Sequence, residues 1–195
     1  MPILVTAFEP FGGDALNASQ EILNALPATL GGVRLEKRLL PVTFYAASVI
    51  AVEAAAALRP DAIVCLGQAG GRDAVTPERV AVNLMDAKIP DNDGFQPVDQ
   101  PLIPNAPAAY FSTLPVKAMV EAMQRVGVPA WLSNTAGTYV CNALMYAMLH
   151  QTKDIPCGFI HVPYLTEQGK GEAAPSLPQG TVLRGITVCL QTILK

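Results

Sequence analysis

Charge is scarce in this chain: only 15% of its 195 residues are Asp, Glu, Lys or Arg, and the net charge is −3. With no basic stripe, nucleic acid is not an expected partner. Histidine is scarcer still, with two in the whole sequence. The four cysteines, at positions 65, 141, 157 and 189, form no CxxC and share no metal-ligand spacing with either histidine. Neither a metal nor a redox dithiol is therefore expected, and no cofactor is called for. No apolar run reaches the roughly 18 residues of a membrane span. The longest, Ala46 to Leu58, is interrupted by Glu53. The start, MPILVTAFEP, lacks the basic stretch of a secretory leader and reads as a first strand, which makes a cytoplasmic location the default. Internal repeats and low-complexity tracts are also missing.

What is abundant is apolar surface, at 51% hydrophobic residues. That is enough for a large core in one catalytic domain over residues 1–195, with apolar surface left for a subunit partner. Strand and helix patterns alternate. Pro2 to Phe8 reads as a strand, and a helix follows from Ala18 to Leu26, with Asn17 as N-cap and Gln20 at capping-box spacing. Val33 to Leu40 alternates as a strand, and Thr43 is the expected cap of the long helix FYAASVIAVEAAAAL. Asp61 to Leu66 is a continuous apolar run, as in a buried central strand. Arg79 to Leu84 alternates again.

Pro90 to Pro107, rich in proline, reads as a loop serving a site or an interface. Then come a helix from Pro115 to Val126 stopped by Gly127, a short strand at Ala130 to Ser133 and a helix at Tyr139 to Gln151. A strand at Cys157 to Val162, a flexible segment EQGKGEAAPSLPQG and a last helix from Thr181 complete the chain. The expected fold is α/β: an open, twisted, three-layer α/β/α sheet with helices on both faces, its site beyond the carboxyl ends of the strands.

Cys141 stands where the small polar loop SNTAGTY meets a helix-periodic stretch. Backbone N–H groups and the positive helix end favour thiolate there. His161, in GFIHVPY, ends a short apolar strand and is its natural base, although a hydrogen-bonded core histidine fits the same pattern. Glu78, in TPERVAVN, is the best third member of a triad; the alternative is a solvated charge paired with Arg79. Cys65, Cys157 and Cys189 lie in apolar surroundings and read as buried small hydrophobes. His150 reads as a cation on a helix C-terminus. The segment GQAGGR is neither a dinucleotide fingerprint nor a P-loop, so a tight turn is the default. Phe8 and Phe11, flanking a proline on a glycine-rich turn, are suited to the walls of a flat apolar pocket.

Together AFEPFGG, GGRDAVTPERVAVNLMDAKIPDNDG, AAYFSTLP, TAGTYVCNALMY and GFIHVPYLTEQ closely resemble the pyrrolidone-carboxyl peptidases, the type I pyroglutamyl peptidases. The resemblance implies a cysteine exopeptidase that releases an N-terminal pyroglutamate from small peptides through a triad of Glu78, Cys141 and His161. It also implies a ring pocket of Phe8 and Phe11 with Ile89, Tyr139 and Val140, polar contacts from Asn17 (which doubles as a cap) and Gln68, and a homo-oligomer, dimer or tetramer. Tyr139 stands where phenylalanine is frequent in that family. Lys88 stands in DAKIPDN where arginine is usual, keeping the charge that aids the oxyanion site but losing the rigid fork. The competing readings are a glutamine-amidotransferase-like amidase and a catalytically silent binding subunit.

Overall fold

The computed structural model describes residues 2–171 and 174–194. Its centre is a six-stranded sheet in the order β2-β3-β1-β4-β8-β5, built from β1 (Ile3–Phe8), β2 (Thr29–Leu30), β3 (Val33–Leu40), β4 (Ala62–Gln68), β5 (Thr76–Pro77) and β8 (Cys157–Val162). β3, β1, β4 and β8 run parallel, and the short edge strands β2 and β5 run antiparallel to their neighbours. β1, β4 and β8 are buried at every position, as expected of parallel strands covered on both faces.

Alternate strand residues feed two cores. Ile3, Val5, Val64, Leu66, Ile160 and Val162 pack under α1 (Ala18–Ala25), α3 (Val116–Arg125) and α5 (Gln179–Ile193). Leu4, Phe8, Ile63, Cys65, Cys157 and Phe159 pack under α2 (Ala46–Leu58) and α4 (Val140–Gln151). The expected three layers are therefore present. β1 leads through α1 to β3 on one side, and β3 returns through α2 past β1 to β4 on the other. The crevice beyond the carboxyl ends of β1 and β4 is thus a topological switch point, where open α/β sheets hold their ligands.

Several boundaries differ from the sequence expectations, each for a local reason. Asn17 does cap α1, accepting from Ser19 N–H at 2.9 Å, but Gln68 rather than Gln20 joins it there, accepting from Ala18 N–H at 2.8 Å. Thr43 does not cap α2. The helix begins at Ala46 with Tyr45 at the N-cap making no side-chain bond, and the preceding turn is held by Asp91 Oδ2 accepting from Phe44 N–H at 2.9 Å.

Of the stretch from Arg79 to Leu84, only β6 (Val80–Val82) is a strand, pairing outside the main sheet with β7 (Ala109–Phe111), too short for sequence periodicity to show. Ala130 and Ser133 make single bridges, to Val75 and Glu78, in place of a strand. The segment expected to be flexible, Glu167 to Gly180, instead contributes to a 3-10 turn at Thr166–Gln168, pairs β10 (Ser176–Leu177) with β9 (Tyr164–Leu165), and begins α5 at Gln179. Positions 172 and 173 of that expectation lie outside the described residues.

Candidate active site

Tyr139, in extended conformation, precedes α4 without a side-chain cap, and the first intrahelical bond runs from Ala143 N–H to Tyr139 O at 3.1 Å. The amides of Val140 to Asn142 come before that bond, so the helix presents open N–H groups where Cys141 sits. The buried Asn142 fixes this end of α4: it donates to Val82 O (2.9 Å) and Leu84 O (3.1 Å) and accepts from Val82 N–H (2.9 Å). Gly67 of β4 pairs in register with His161 of β8, and a β-carbon on it would lie 2.6 Å from the Phe159 ring and 3.0 Å from Cys141 Sγ. The bare glycine therefore leaves room for the sulfur between strand and helix.

His161 follows Phe159 by two positions on β8, so it faces the α4 side of the sheet, with its ring 4.8 Å from the Phe159 ring. Its Nδ1 lies 2.7 Å from Glu78 Oε1. The backbone of Glu78 is pinned on both sides, donating N–H to Phe159 O at 2.9 Å and bridging to Ser133. Arg72, not Arg79, is its ion partner: Nη1 donates to the same Oε1 at 2.7 Å.

Burial alone would raise the Glu78 carboxyl, but the bond and charge of His161, with the charge of Arg72 as the smallest contribution, outweigh it and hold the pKa below the usual carboxylate value. Ser133 adds to the lowering, yet its hydroxyl donates to Thr135 O at 3.1 Å, leaving Glu78 Oε2 without a hydrogen-bond partner. An ionised carboxylate only accepts, so the imidazole proton sits on Nδ1 and the Nε2 lone pair is free to act as a base. Burial holds His161 below its ordinary pKa, Glu78 pulls it upward, and Arg72 adds to the lowering.

The thiolate expectation for Cys141 needs correction. The residue keeps part of its surface open, but the protein packs densely about it, and burial, then the charge of Glu78, push the thiol up to about 12. Arg72 and the Cys141 backbone N–H oppose the rise without cancelling it. Burial and the Glu78 carboxylate thus work against the anion, and the helix entrance alone does not make one.

A cavity of about 150 Å³ brings Cys141 and His161 together with Phe8, Phe11, Asn17, Gln68, Tyr139 and Val140. Voids of this size hold a single benzene-sized ring. Phe8 is buried against Phe159, with centroids 6.4 Å apart, and forms the inner wall; Phe11, on the loop, leans on Tyr139 at 6.4 Å. Gln68 Oε1 is taken by Ala18 N–H and by Gln168 Nε2 at 2.9 Å, which turns the Gln68 amide nitrogen to its other side as a donor. Asn17 is mostly structural: its oxygen accepts from Ser19 N–H and Oγ, and its nitrogen donates to Glu9 O at 2.9 Å. Among the described residues, no carboxylate lines the cavity and no cluster suited to a metal ion occurs.

Lys88 and Ile89 do not line the cavity. Both are exposed on a rim loop tied to the α4 approach, Asp86 N–H donating to Thr138 O at 3.1 Å and Tyr139 Oη to Pro90 O at 3.0 Å. Two wall residues, Val42 and Ala136, were not anticipated; as small apolar residues in loops they carry no sequence signal. His150 does end α4, but its Nδ1 shares a hydrogen bond with Tyr110 Oη at 2.8 Å, well away from this cavity.

The sequence profile of the family described as "Pyroglutamyl peptidase" matches residues 1–195. The chain is 49% identical over 197 residues to the pyrrolidone-carboxylate peptidase of Escherichia fergusonii, covering 98% of this chain and 92% of that one. To the pyrrolidone-carboxylate peptidase of Thermococcus onnurineus it is 45% identical over 199 residues, covering 100% of both. The crystal structure of Bacillus amyloliquefaciens pyroglutamyl peptidase I superposes with a TM-score of 0.92 at 41% identity, covering 96% of this chain and 94% of that one.

Proposed function

This chain belongs to the pyroglutamyl peptidase family, and from that premise we propose how its own residues perform the family's reaction. The protein is a cysteine-type hydrolase that removes an N-terminal pyroglutamate from peptides. In this reading Glu78, Cys141 and His161 are the triad, within one catalytic domain spanning residues 1–195. The observation that carries it is the shared cavity: a thiol and an imidazole open onto a small apolar hollow without a carboxylate in its wall. Ordinary aminopeptidases need an anion for the free ammonium of their substrate, whereas pyroglutamate has a neutral lactam in its place.

The lactam ring enters between Phe8 and Phe11, with Tyr139 and Val140 alongside and the Gln68 amide as a hydrogen-bond donor. His161 Nε2 takes the Cys141 proton as sulfur attacks the pyroglutamyl carbonyl. Glu78 holds the ring in the Nδ1–H tautomer and stabilises the imidazolium that forms. The open amides at the start of α4 receive the oxyanion, where one such donor is worth roughly 3–4 kcal/mol. His161 then gives its proton to the departing amine, and water, deprotonated by the same ring, hydrolyses the thioester. Lys88 lies exposed on the rim loop with Ile89 beside it, and from there its positive charge supports the oxyanion. Lys88→Arg should raise kcat by restoring a directional fork; an unchanged or lower kcat removes Lys88 from this role.

Hydrolysis of a pyroglutamyl fluorogenic amide, inhibited by a thiol alkylator and unaffected by chelation, is the expected result. Release of ammonia from glutamine without cleavage of the pyroglutamyl amide would favour the amidase reading, against which the lack of an acidic anchor speaks. A cytoplasmic setting and a homo-oligomer, dimer or tetramer, belong to the same proposal. The oligomer is supported by exposed apolar side chains at Tyr45, Val49 and Phe111. No described helix is long and apolar enough to cross a membrane. A monomer in sedimentation, or recovery of the chain outside the cytoplasm, would remove those two points.

A further inference from the structure

The GQAGGR turn is not explained by substrate binding, because none of its residues after Gln68 lines the cavity. Its geometry is nevertheless tightly constrained. A β-carbon on Gly70 would lie 2.5 Å from Tyr164 Oη, and Gly71 has φ of +86°. Two glycines thus let the chain reverse directly after β4, which carries Arg72 across to the Glu78 side. There the guanidinium is held by groups from separate segments. Nη1 donates to Glu78 Oε1 at 2.7 Å and to Thr76 Oγ1, and Nη2 donates to Thr135 O at 3.2 Å. The Trp131 ring lies under the guanidinium carbon, 5.7 Å from centroid to carbon.

We infer that Arg72 is a positioning residue of the peptidase: its fork holds Glu78 in the orientation that keeps His161 Nε2 facing Cys141. This rests on the triad reading given above. The physical need is visible at Glu78 itself. Both of its partners bind Oε1 while Oε2 has none, so without Arg72 the buried carboxylate is free to rotate about its last bond and take His161 with it. A lysine brings charge but cannot reach Glu78, Thr76 and Thr135 from one planar group.

Arg72 also acts on protonation. His161 faces Glu78 from the β5–β6 junction and Arg72 from the β4–β5 turn, and shares the cavity with Cys141 of α4, itself influenced by Cys65 of β4. Of these, Arg72 is the one cation, and it opposes the imidazolium. Removing it makes His161 easier to protonate, so the acid limb of kcat/KM moves to higher pH. A lysine leaves that limb in place.

The test is kcat, KM and the pH profile of Arg72→Met and Arg72→Lys, per active site titrated by thiol reagent, beside Glu78→Gln. The expected result is a kcat loss on the order of 100-fold in both arginine variants, the scale of a misplacement near 1 Å, with KM within about twofold because Arg72 is outside the cavity wall. The acid limb rises in Arg72→Met and stays in Arg72→Lys. If Arg72→Met does not fold, Arg72→Lys decides: full activity overturns the proposal, and loss of kcat with unchanged KM and limb supports it. Loss of activity in Glu78→Gln with full activity in both arginine variants overturns this role alone. An active Glu78→Gln overturns the triad reading beneath it.

Discussion

Cys141→Ala is expected to lower kcat by about a millionfold, the scale seen when a triad nucleophile is deleted, while leaving the fold intact. The side chain is partly exposed at the cavity, and alanine retains the helix start that Asn142 anchors. Cys141→Ser should come close to the same loss, because a hydroxyl in this place is a far weaker nucleophile than sulfur. Cys65→Ser should keep activity of the same order, at a stability cost of about 1–3 kcal/mol for a buried hydroxyl. Thiol acidity does not separate the candidates, since burial raises Cys65, Cys141 and Cys189 alike, each to about 12. What separates Cys141 is its place: an opening to the cavity, free amides behind it, and an imidazole on the same cavity wall. Assays of the purified variants on a pyroglutamyl amide check this, and loss of activity in Cys65→Ser with retention in Cys141→Ala contradicts it.

Glu78→Gln should lower kcat by about four orders of magnitude. An amide offers His161 a donor as readily as an acceptor, which permits the Nε2–H tautomer that cannot take a proton from sulfur. The pH profile gives a second signature. His161 in the wild type is held below the ordinary 6.5, with Glu78 pulling it upward against burial. Loss of the carboxylate therefore moves the acid limb to still lower pH, opposite in sign to the shift expected when the Arg72 charge is removed. The substitution also leaves Arg72 without its ion partner. Its destabilisation should stay below the 3–5 kcal/mol typical of breaking a buried pair, because Arg72 is partly exposed and keeps Thr76 and Thr135. A Glu78→Gln enzyme within tenfold of wild-type kcat would contradict the role.

The sequence was most legible where one segment carries its own signal. β8 is found with its expected bounds, and His161 lies near its end because an apolar run stops at a polar residue. Asn17 was legible as a cap by position and chemistry. Interactions between distant segments were not. Asp91 holds the turn before α2 from far along the chain, leaving Thr43 Oγ1 without a partner, and no spacing rule links those positions. Glu78 could be suspected but not secured from spacing alone, because the element that delivers it, β5, is a two-residue edge strand with no periodicity to detect. For Cys141 the helix entrance is legible in the sequence, whereas the burial and the facing Glu78 carboxylate that oppose a thiolate are not.

The most direct test is peptide mapping after limited alkylation at neutral pH, with and without 2-pyrrolidone as a lactam competitor. Label should appear on the peptide holding Cys141, its extent should follow the loss of activity, and the lactam should slow both. Activity lost while Cys141 remains unlabelled, or retained when it is fully labelled, would rule out Cys141 as the nucleophile.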